Sequence, residues 1–441
     1  MTGNYGYTPI QPSGSSNLTF NTMTVKGSAK VQQENPFYHL DVTGNLTING
    51  NGTLYIPTDN NASVGSYGVA LGSSSFFGSP SWFTVYNDVD VVETVNLIEY
   101  DDHPFKLTIN TANKATYNGA DKNWVIGPHD QITIDLDEQM TVGSLAVSGI
   151  LTTPVCGQLS CKKIDFDVVN TIGTGNLIVH TIGKIQVDDK GYLGAYRTGG
   201  DGFVNDPTIG RSHPNTTATS AAAYNGASHG GWGGFYSGTM GVGPYGNFMQ
   251  PSLPGAGGGG WYTSYGGNGG GSIHLQVAGV LTVNGTISAN GGAGYSNGAG
   301  GAGGSVWLEA GEVTNTAGTP VISAIGGIGW MEGGGGRVAL YYTSLTGGFT
   351  LAALQAWGYN QDNDGGAGSI FYQNTVSDVY GHLKFDNNGA NNNYAGWSPI
   401  LSPLVPGTSD LILDSLTVTN FAEVKLEGTS YNFHLLGTPG N

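Results

Sequence analysis

The sequence predicts an all-β chain: a β-solenoid or β-helix-like stack of repeats with Gly-rich loops, preceded by an N-terminal β region. The first observation is a repeat in which a short apolar strand follows a Gly run. These strands begin 33, 32 and 32 residues apart, at Ser272, Ser305, Arg337 and Ser369. Near-constant spacing of this size is typical of units that bury their apolar faces against their neighbours. The second observation is composition, because Gly supplies 76 of 441 residues and charged residues only 10 %, unlike helical domains.

Three regions follow from shifts in composition along the chain. Residues 1–165 read as an N-terminal β region that holds most of the acidic residues. Residues 166–400 form the Gly-rich repeat block, in which residues 281–290 alternate apolar and small polar side chains as a half-buried strand does. Residues 401–441 read as a terminal β coil that resembles residues 16–45.

The repeat also predicts which side chains point inward. If the four strands are equivalent, Ile273, Val306, Val338 and Ile370 occupy the same position in each unit. Stacked units bury the same position on every turn, so we expect these four side chains to form one buried column.

A long insertion at residues 198–270 interrupts the repeat block, and loops of this length usually carry function or are disordered. Its glycines could lie as polyproline-II-like segments that pack closely, with the aromatic residues as spacers. The aromatic rings could instead line a surface on which sugar rings stack. We expect packing for most rings and glycan contact for an exposed subset. The glycan-binding candidates are Trp232, Tyr236, Tyr245, Trp261, Tyr262 and Tyr265.

The two ends of the chain are alike. Residues 409–418 resemble residues 16–25, and the likeness resumes between residues 433–435 and 38–40. Either the chain is one unit of a longer repetitive protein, or its ends are equivalent coils that meet head to tail. A third interpretation is that all solenoid coils look alike.

Charge and cysteine usage narrow the partners and the compartment. A formal net charge of −17 argues against nucleic acid and anionic membranes, and leaves divalent cations and neutral or cationic sugars compatible. The pair Cys156 and Cys161 is a weak metal signal and favours a disulfide over two free thiols, which places the protein outside a reducing cytosol. The first residues lack the features of a signal peptide, and no apolar run is long enough to predict a membrane span.

One loop is a candidate for calcium, the only cofactor the sequence suggests. Asn360, Asp362 and Asp364 present oxygen ligands at alternate positions and are followed by Gly. The twelfth position, where a calcium loop carries a bidentate Glu, is Phe371. An ordinary Asn/Asp turn is therefore the favoured interpretation.

A catalytic site would need clustered carboxylates, and the sequence offers only weak sets. Pairs such as Asp135 and Asp137 lie two residues apart and share one face of a strand, where a solvated outer surface is the simpler interpretation. In the Gly-rich block, an active site would have to be assembled from Asp201, Asp206, Arg211 and His213. We therefore predict no catalytic residues.

Residues 195–345 resemble a Gly-rich module of very large bacterial and archaeal secreted or cell-surface proteins. The likeness rests on residues 226–234, 244–246, 257–260, 270–273 and 286–292. It implies an extracellular β-solenoid building block of adhesin-like or filament-like proteins, and implies no catalytic residues. The Gly-rich distal adhesins of phage tail fibres are a looser likeness, based on composition alone.

The predicted function is therefore a non-catalytic structural or adhesive module, extracellular or on a cell or virion surface, that assembles with itself or belongs to a longer repetitive surface protein or filament. Its expected partners are further copies or repeats and surface glycans. One alternative is a glycan-binding phage fibre or receptor-binding protein. A second is a β-helix polysaccharide lyase or hydrolase.

Overall fold

The computed structural model describes residues 106–436 apart from residues 129, 172–173, 218–223, 237–242, 262, 360–364, 390–397, 402–409 and 428–431. Upstream of residue 106 it describes the backbone of nine strands. Within these parts the regular secondary structure is almost entirely β, and most strands pair in parallel. The helical pieces there are one short helix, α1 (Lys114–Tyr117), and one 3-10 turn, Leu351–Ala353.

The upstream strands form two parallel sheets. The strands are β1 (Thr8–Ile10), β2 (Leu18–Phe20), β3 (Met23–Gly27), β4 (Lys30–Gln33), β5 (Leu40–Gly50), β6 (Thr53–Tyr55), β7 (Asn61–Ala70), β8 (Ser75–Phe77) and β9 (Trp82–Val85). One sheet has the order β1-β4-β6-β8, and the other has the order β2-β5-β7-β9 with β3 also on β5.

Two longer sheets follow. Their strands are β10 (Lys106–Ile109), β11 (Gly119–Ile126), β12 (Gln131–Ile134), β13 (Met140–Val147), β14 (Ile150–Thr152), β15 (Lys163–Val168), β16 (Leu177–Val179), β17 (Lys184–Gln186), β18 (Ser272–Val283), β19 (Thr286–Ser288), β20 (Ser305–Asn315), β21 (Val321–Ser323), β22 (Arg337–Gly347), β23 (Leu354–Gln355) and β24 (Ser369–Asn374). Sheet 1 has the order β10-β12-β14-β17-β19-β21-β23, and sheet 2 runs β11-β13-β15-β18-β20-β22-β24. The chain therefore passes back and forth between two parallel sheets, without a break at residue 165.

The predicted column is confirmed. Parallel pairing sets Ile273 opposite Val306, Val306 opposite Val338, and Val338 opposite Ile370. All four side chains are buried, with at most 2 % of their surface exposed. The column continues to Ile164 on β15, which pairs with Ile273 despite the long insertion between them.

The main core lies between sheets 1 and 2, because apolar side chains alternate along the strands of both. Leu308 and Leu340 are fully buried there, and burying a side chain of this size contributes about 1.5–3 kcal/mol. A second core lies on the other face of sheet 2 and includes Phe371, Leu383 and Phe385.

The second core forms where the repeat ends. Strand β25 (His382–Asp386) pairs antiparallel with β24, the reverse of the repeat. It is followed by β26 (Ser398–Leu401), β27 (Asp410–Leu413), β28 (Ser415–Thr419), β29 (Val424–Glu427) and β30 (Asn432–Leu435). These last strands pair in parallel as β25-β28, β26-β29 and β27-β30.

Beside the sheets lies a glycine array, formed by residues 191–195, 226–234, 255–260, 266–271, 289–294, 298–304, 324–329, 333–336, 356–358 and 365–368. Its backbone groups bond between segments, for example from Gly258 N to Gly267 O and from Gly267 N to Ala299 O, both at 2.8 Å. A Cβ added at Gly267 would lie 1.9 Å from Gly292 O. Only glycine permits this approach, and such packing is what the polyproline-II-like interpretation predicts.

A buried arginine attaches part of the insertion to sheet 2. Arg337 on β22 is 1 % exposed and donates from Nε to Tyr245 O and from Nη1 to Ser369 Oγ, both at 2.9 Å. Ser305 on β20 donates to Leu253 O at 2.6 Å. Residues 244–254 therefore cover the outer face of sheet 2 at the end where the strands begin. They leave the face uncovered further along the strands.

Candidate functional site

The candidate site lies at the turns of the glycine array. Residues 289–294 leave sheet 1 after β19 and residues 298–304 enter sheet 2 at β20, so the turn between them lies at the end of the array away from the strands. The same holds for the turn between residues 324–329 and 333–336, one unit later. The turn before residues 266–271, which lead into β18, lies at that end too.

Aromatic side chains occupy these turns or flank the array segments 191–195 and 226–234. We call them the aromatic surface: Tyr196, Tyr224, Tyr236, Trp261, Tyr265, Tyr295 and Trp330. Five of the seven are exposed, with exposed fractions of 42 % for Tyr196, 55 % for Tyr236, 37 % for Trp261, 65 % for Tyr295 and 45 % for Trp330. Exposed aromatic side chains in such number mark interaction sites more often than ordinary surface.

Ring contacts join most of these side chains into two groups. Tyr224 stacks on Trp261 with ring centroids 4.6 Å apart and meets Tyr236 edge-on at 5.8 Å. Tyr265 lies between Tyr196 at 5.2 Å and Tyr295 at 5.8 Å. Contacts of this kind restrict the rings, so they can present flat faces without losing much conformational freedom on binding.

The backbone of the surface is held in an uncommon conformation. Tyr196 has φ 63° and Tyr224 has φ 68°, in the left-handed region that bulky residues rarely adopt. Residues kept in this region cluster at functional sites, where the surrounding structure compensates for the strain.

Hydrogen bonds hold the turns to one another. Arg197 donates from Nε to Gly266 O and from Nη2 to Ala293 O, both at 2.8 Å, and so joins two turns. Tyr295 N donates to Tyr265 O at 2.8 Å, and Trp330 N donates to Gly298 O at 3.0 Å. The aromatic surface is therefore built on turns that are bonded to their neighbours.

Five of the six glycan-binding candidates fall into three groups. Tyr236, Trp261 and Tyr265 belong to the aromatic surface. Trp232 is half-buried within the array, where its carbonyl accepts from Gly366 N at 2.7 Å. Tyr262 lies outside the described residues.

Tyr245, the sixth candidate, points into the protein. Its ring lies 4.7 Å from that of His229 and 5.7 Å from that of His213, and its hydroxyl donates to Pro254 O at 2.7 Å. Burial raises the pKa of Tyr245 and lowers that of His229 to about 3, which keeps both side chains neutral. This placement favours packing over glycan contact.

The cysteine and calcium candidates fall in different places. Cys156 and Cys161 form a disulfide with Cα atoms 4.2 Å apart. Asn360, Asp362 and Asp364 lie outside the described residues. Within the described parts, three or more His, Cys, Asp or Glu side chains do not come together as a metal-binding group.

The two carboxylates of the weak catalytic set in the Gly-rich block accept hydrogen bonds from backbone N–H groups. Asp201 accepts from the backbone N–H groups of Gln158 and Phe203, and these bonds lower its pKa. Asp206 accepts from Thr208 N at 2.7 Å and Ile209 N at 3.0 Å.

The other members of these sets have separate partners. His213 contacts Tyr192 Oη at 3.2 Å, and Arg211 donates from Nε to Asn215 Oδ1 at 2.9 Å. The exposed pair Asp135 and Asp137 faces Lys162, at 3.9 and 2.8 Å.

Four members of the aromatic surface were not among the candidates: Tyr196, Tyr224, Tyr295 and Trp330. The sequence does contain a pattern that could have identified Tyr295 and Trp330. Like Trp261, each lies between two Gly-rich stretches, in successive units of the repeat. Tyr196 directly follows the segment 191–195.

Comparison of the chain with protein-family models, with curated proteins and with solved structures gives no significant match. In the described residues, no helix is long and apolar enough to cross a membrane.

Proposed function

We propose that the chain is a non-catalytic β-solenoid module that acts outside the cytosol and adheres to glycans through its aromatic surface. The solenoid architecture is supported by the two sheets between which successive strands alternate and by the shared register of β18, β20, β22 and β24. Each unit buries its apolar strands against the next, as stacked repeats do.

The aromatic surface is the observation on which the adhesive role rests. An exposed ring such as Trp261 offers a flat apolar face that complements the C–H face of a pyranose. Rings repeated over neighbouring turns suit a polymer, because several weak contacts along one chain combine into stronger binding.

The four acidic residues singled out as catalytic candidates, Asp135, Asp137, Asp201 and Asp206, favour binding over cleavage. Asp201 accepts from Gln158 N of a neighbouring loop, Asp206 accepts from Thr208 N of its own loop, and Asp135 and Asp137 face Lys162. A hydrolase needs two carboxylates that flank a substrate groove with different proton affinities. The disulfide between Cys156 and Cys161 supports an oxidising compartment.

Binding to an array of immobilised neutral polysaccharides tests the adhesive role. Trp261→Ala removes a ring that is 37 % exposed, and Tyr380→Ala removes a ring of equal exposure, 38 %, outside the aromatic surface. We expect the first variant to weaken binding about fivefold, since one stacking contact is worth about 1 kcal/mol. The second variant should bind like the parent chain. Equal binding by both variants, or no binding by the parent chain, would contradict the proposal.

A second candidate function is assembly through like coils. The pattern of β2, β3, β4 and the start of β5 recurs in β27, β28, β29 and β30. The pairing interval also recurs, because Leu18 pairs with Leu40 and Leu411 with Phe433, 22 residues apart in both cases. Such coils can stack on one another in parallel, in this case between two copies of the chain.

Sedimentation over a range of concentrations tests the assembly. Leu426, Leu435 and Leu436 expose 57, 50 and 56 % of their surface on the last coil. Leu435→Lys should dissociate an end-to-end assembly, whereas Val379→Lys, at a site 68 % exposed on another loop, should leave it intact. A parent chain that stays monomeric throughout would rule out assembly by this route.

A further inference from the structure

A surface groove of ≈ 360 Å³ lies on the outer face of sheet 2, apart from the aromatic surface. It borders the part of the face that residues 244–254 cover, since Tyr341 in its lining donates from Oη to Met249 O at 3.0 Å. Its main polar lining residues are Asp167, Gln276, Glu309, Tyr341, Thr343 and Thr375.

The groove follows one row of the sheet. Asp167 on β15 pairs with Gln276 on β18, Gln276 with Glu309 on β20, and Glu309 with Tyr341 on β22. Paired residues on neighbouring strands are about 4.8 Å apart, so the four side chains form a continuous polar and aromatic strip. All four are partly exposed.

The row beside it holds Glu309 in place. His274 contacts Glu309 Oε1 through Nε2 at 3.0 Å and Asp165 Oδ1 through Nδ1 at 3.1 Å. Trp307 stacks on the His274 ring, with centroids 3.9 Å apart. Burial lowers the pKa of His274, but the bonds to Asp165 and Glu309 raise it more, so the net shift is upward. The carboxylate of Glu309 is therefore oriented before any ligand arrives.

Asp167 is the uncompensated charge. Lys163 pairs with Asp165 at 2.6 Å, and His274 contacts both Asp165 and Glu309. With His274 protonated, two cations therefore stand against three carboxylates, those of Asp165, Glu309 and Asp167. In the part of the chain that the structure describes, no side chain bonds to the Asp167 carboxylate. Both charged groups that line the groove, Asp167 and Glu309, are acids.

We propose that this groove binds a cationic saccharide of the glucosamine type, as a second glycan site separate from the aromatic surface. Asp167 and Glu309 attract the ammonium groups, and Gln276 and the Thr343 hydroxyl contact the sugar hydroxyls. The half-buried ring of Tyr341 lies against the apolar face of a pyranose. Charge-assisted hydrogen bonds to carboxylates are about twice as strong as neutral ones, so the amine decides the specificity.

Isothermal titration of the full chain with a glucosamine tetramer and with its N-acetylated counterpart tests the site. The two probes share one backbone and differ in charge. We expect the cationic tetramer to bind at least tenfold more tightly. Equal affinities, or displacement of the tetramer by an equal concentration of spermidine, would overturn the assignment to a cationic saccharide.

Substitutions in the groove test whether the tetramer binds there. Asp167→Asn and Glu309→Gln should each weaken tetramer binding about tenfold. Asp167→Asn is the decisive variant for the site, because its carboxylate makes no side-chain bond whose loss could unfold the chain. Glu312→Gln is the matched control on β20, because Glu312 bonds to Thr346 and does not line the groove. Unchanged binding by Asp167→Asn, or equal loss in Glu312→Gln, would overturn the site.

Trp261→Ala should retain tetramer binding, which separates this groove from the aromatic surface. If Trp261→Ala alone abolishes binding, the tetramer occupies the aromatic surface and the groove proposal fails. The adhesive role proposed above would remain.

Discussion

The network around His274 yields a prediction about stability as a function of pH. Asp165 is almost fully buried and meets His274 at 3.1 Å and Lys163 at 2.6 Å, while Gln139 donates to it at 3.1 Å. Burial raises the pKa of Asp165, but the bonds from His274 and Lys163 lower it further, to about 2 from 3.8. Asp165→Asn removes the charge at nearly constant shape.

The magnitude follows from that shift. A change from 3.8 to about 2 corresponds to about 2.5 kcal/mol, at about 1.4 kcal/mol per pKa unit. Lys163 is partly exposed, and solvent screening reduces the contribution to about 1–2 kcal/mol.

The contributions of Asp165 and His274 to stability change with pH in opposite directions. The pKa of Asp165 is depressed in the folded state, so its contribution is present above 3.8 and is lost as the pH falls toward about 2. The pKa of His274 is raised, so its contribution is present below 6.5 and is lost as the pH rises past its folded value. The parent chain should therefore exceed Asp165→Asn in stability most between about pH 4 and about pH 6.5.

Urea unfolding followed by far-UV circular dichroism at several pH values measures this difference. The matched control is Asp167→Asn, two residues along the same strand, because the Asp167 carboxylate has no side-chain partner within the described residues. The reasoning is refuted if the parent chain and Asp165→Asn differ equally near pH 5 and near pH 2, or if Asp167→Asn reproduces the effect.

Two further predictions concern the array and the disulfide. Gly267→Ala should lower the unfolding midpoint strongly because its Cβ would lie 1.9 Å from Gly292 O, whereas Gly311→Ala, whose nearest neighbour is 3.7 Å away, should change it little; equal midpoints would contradict the close packing. The intact mass without reductant should correspond to a bond between Cys156 and Cys161, and reduction should cost about 2 kcal/mol of stability from loop-closure entropy. Alkylation of both thiols in the unreduced protein would count against the bond.

The sequence predicts the repeat well, because the information is local and periodic. Ile273 and Val306 form the expected column since every unit repeats the same apolar position. The antiparallel return of β25 lies outside the repeat, because β24 has 6 residues where β20 and β22 have 11, and a turn that ends at Gly381 follows it.

The candidate sites are less predictable, because they join residues far apart in the chain. Asp165 meets His274 across the insertion, 109 residues away, and only strand register brings them together. For the insertion, the sequence lists the aromatic residues but does not distinguish Trp261 on the surface from Tyr245 inside. That distinction depends on which glycines lie at the turns and which within the packed segments.

The way the glycine array packs has a consequence for the turns that carry the aromatic surface. Its segments contact one another mainly through backbone atoms. The packing of the array therefore depends little on which side chains its turns carry. Replacing Tyr295, which is 65 % exposed, should therefore affect the neighbouring ring of Tyr265, 5.8 Å away, more than the packing of the array. If the aromatic surface binds glycans as proposed, changes at the turns alone should alter the binding preference while the array stays packed. A library randomised at these positions should retain the fold while its members diverge in what they recognise.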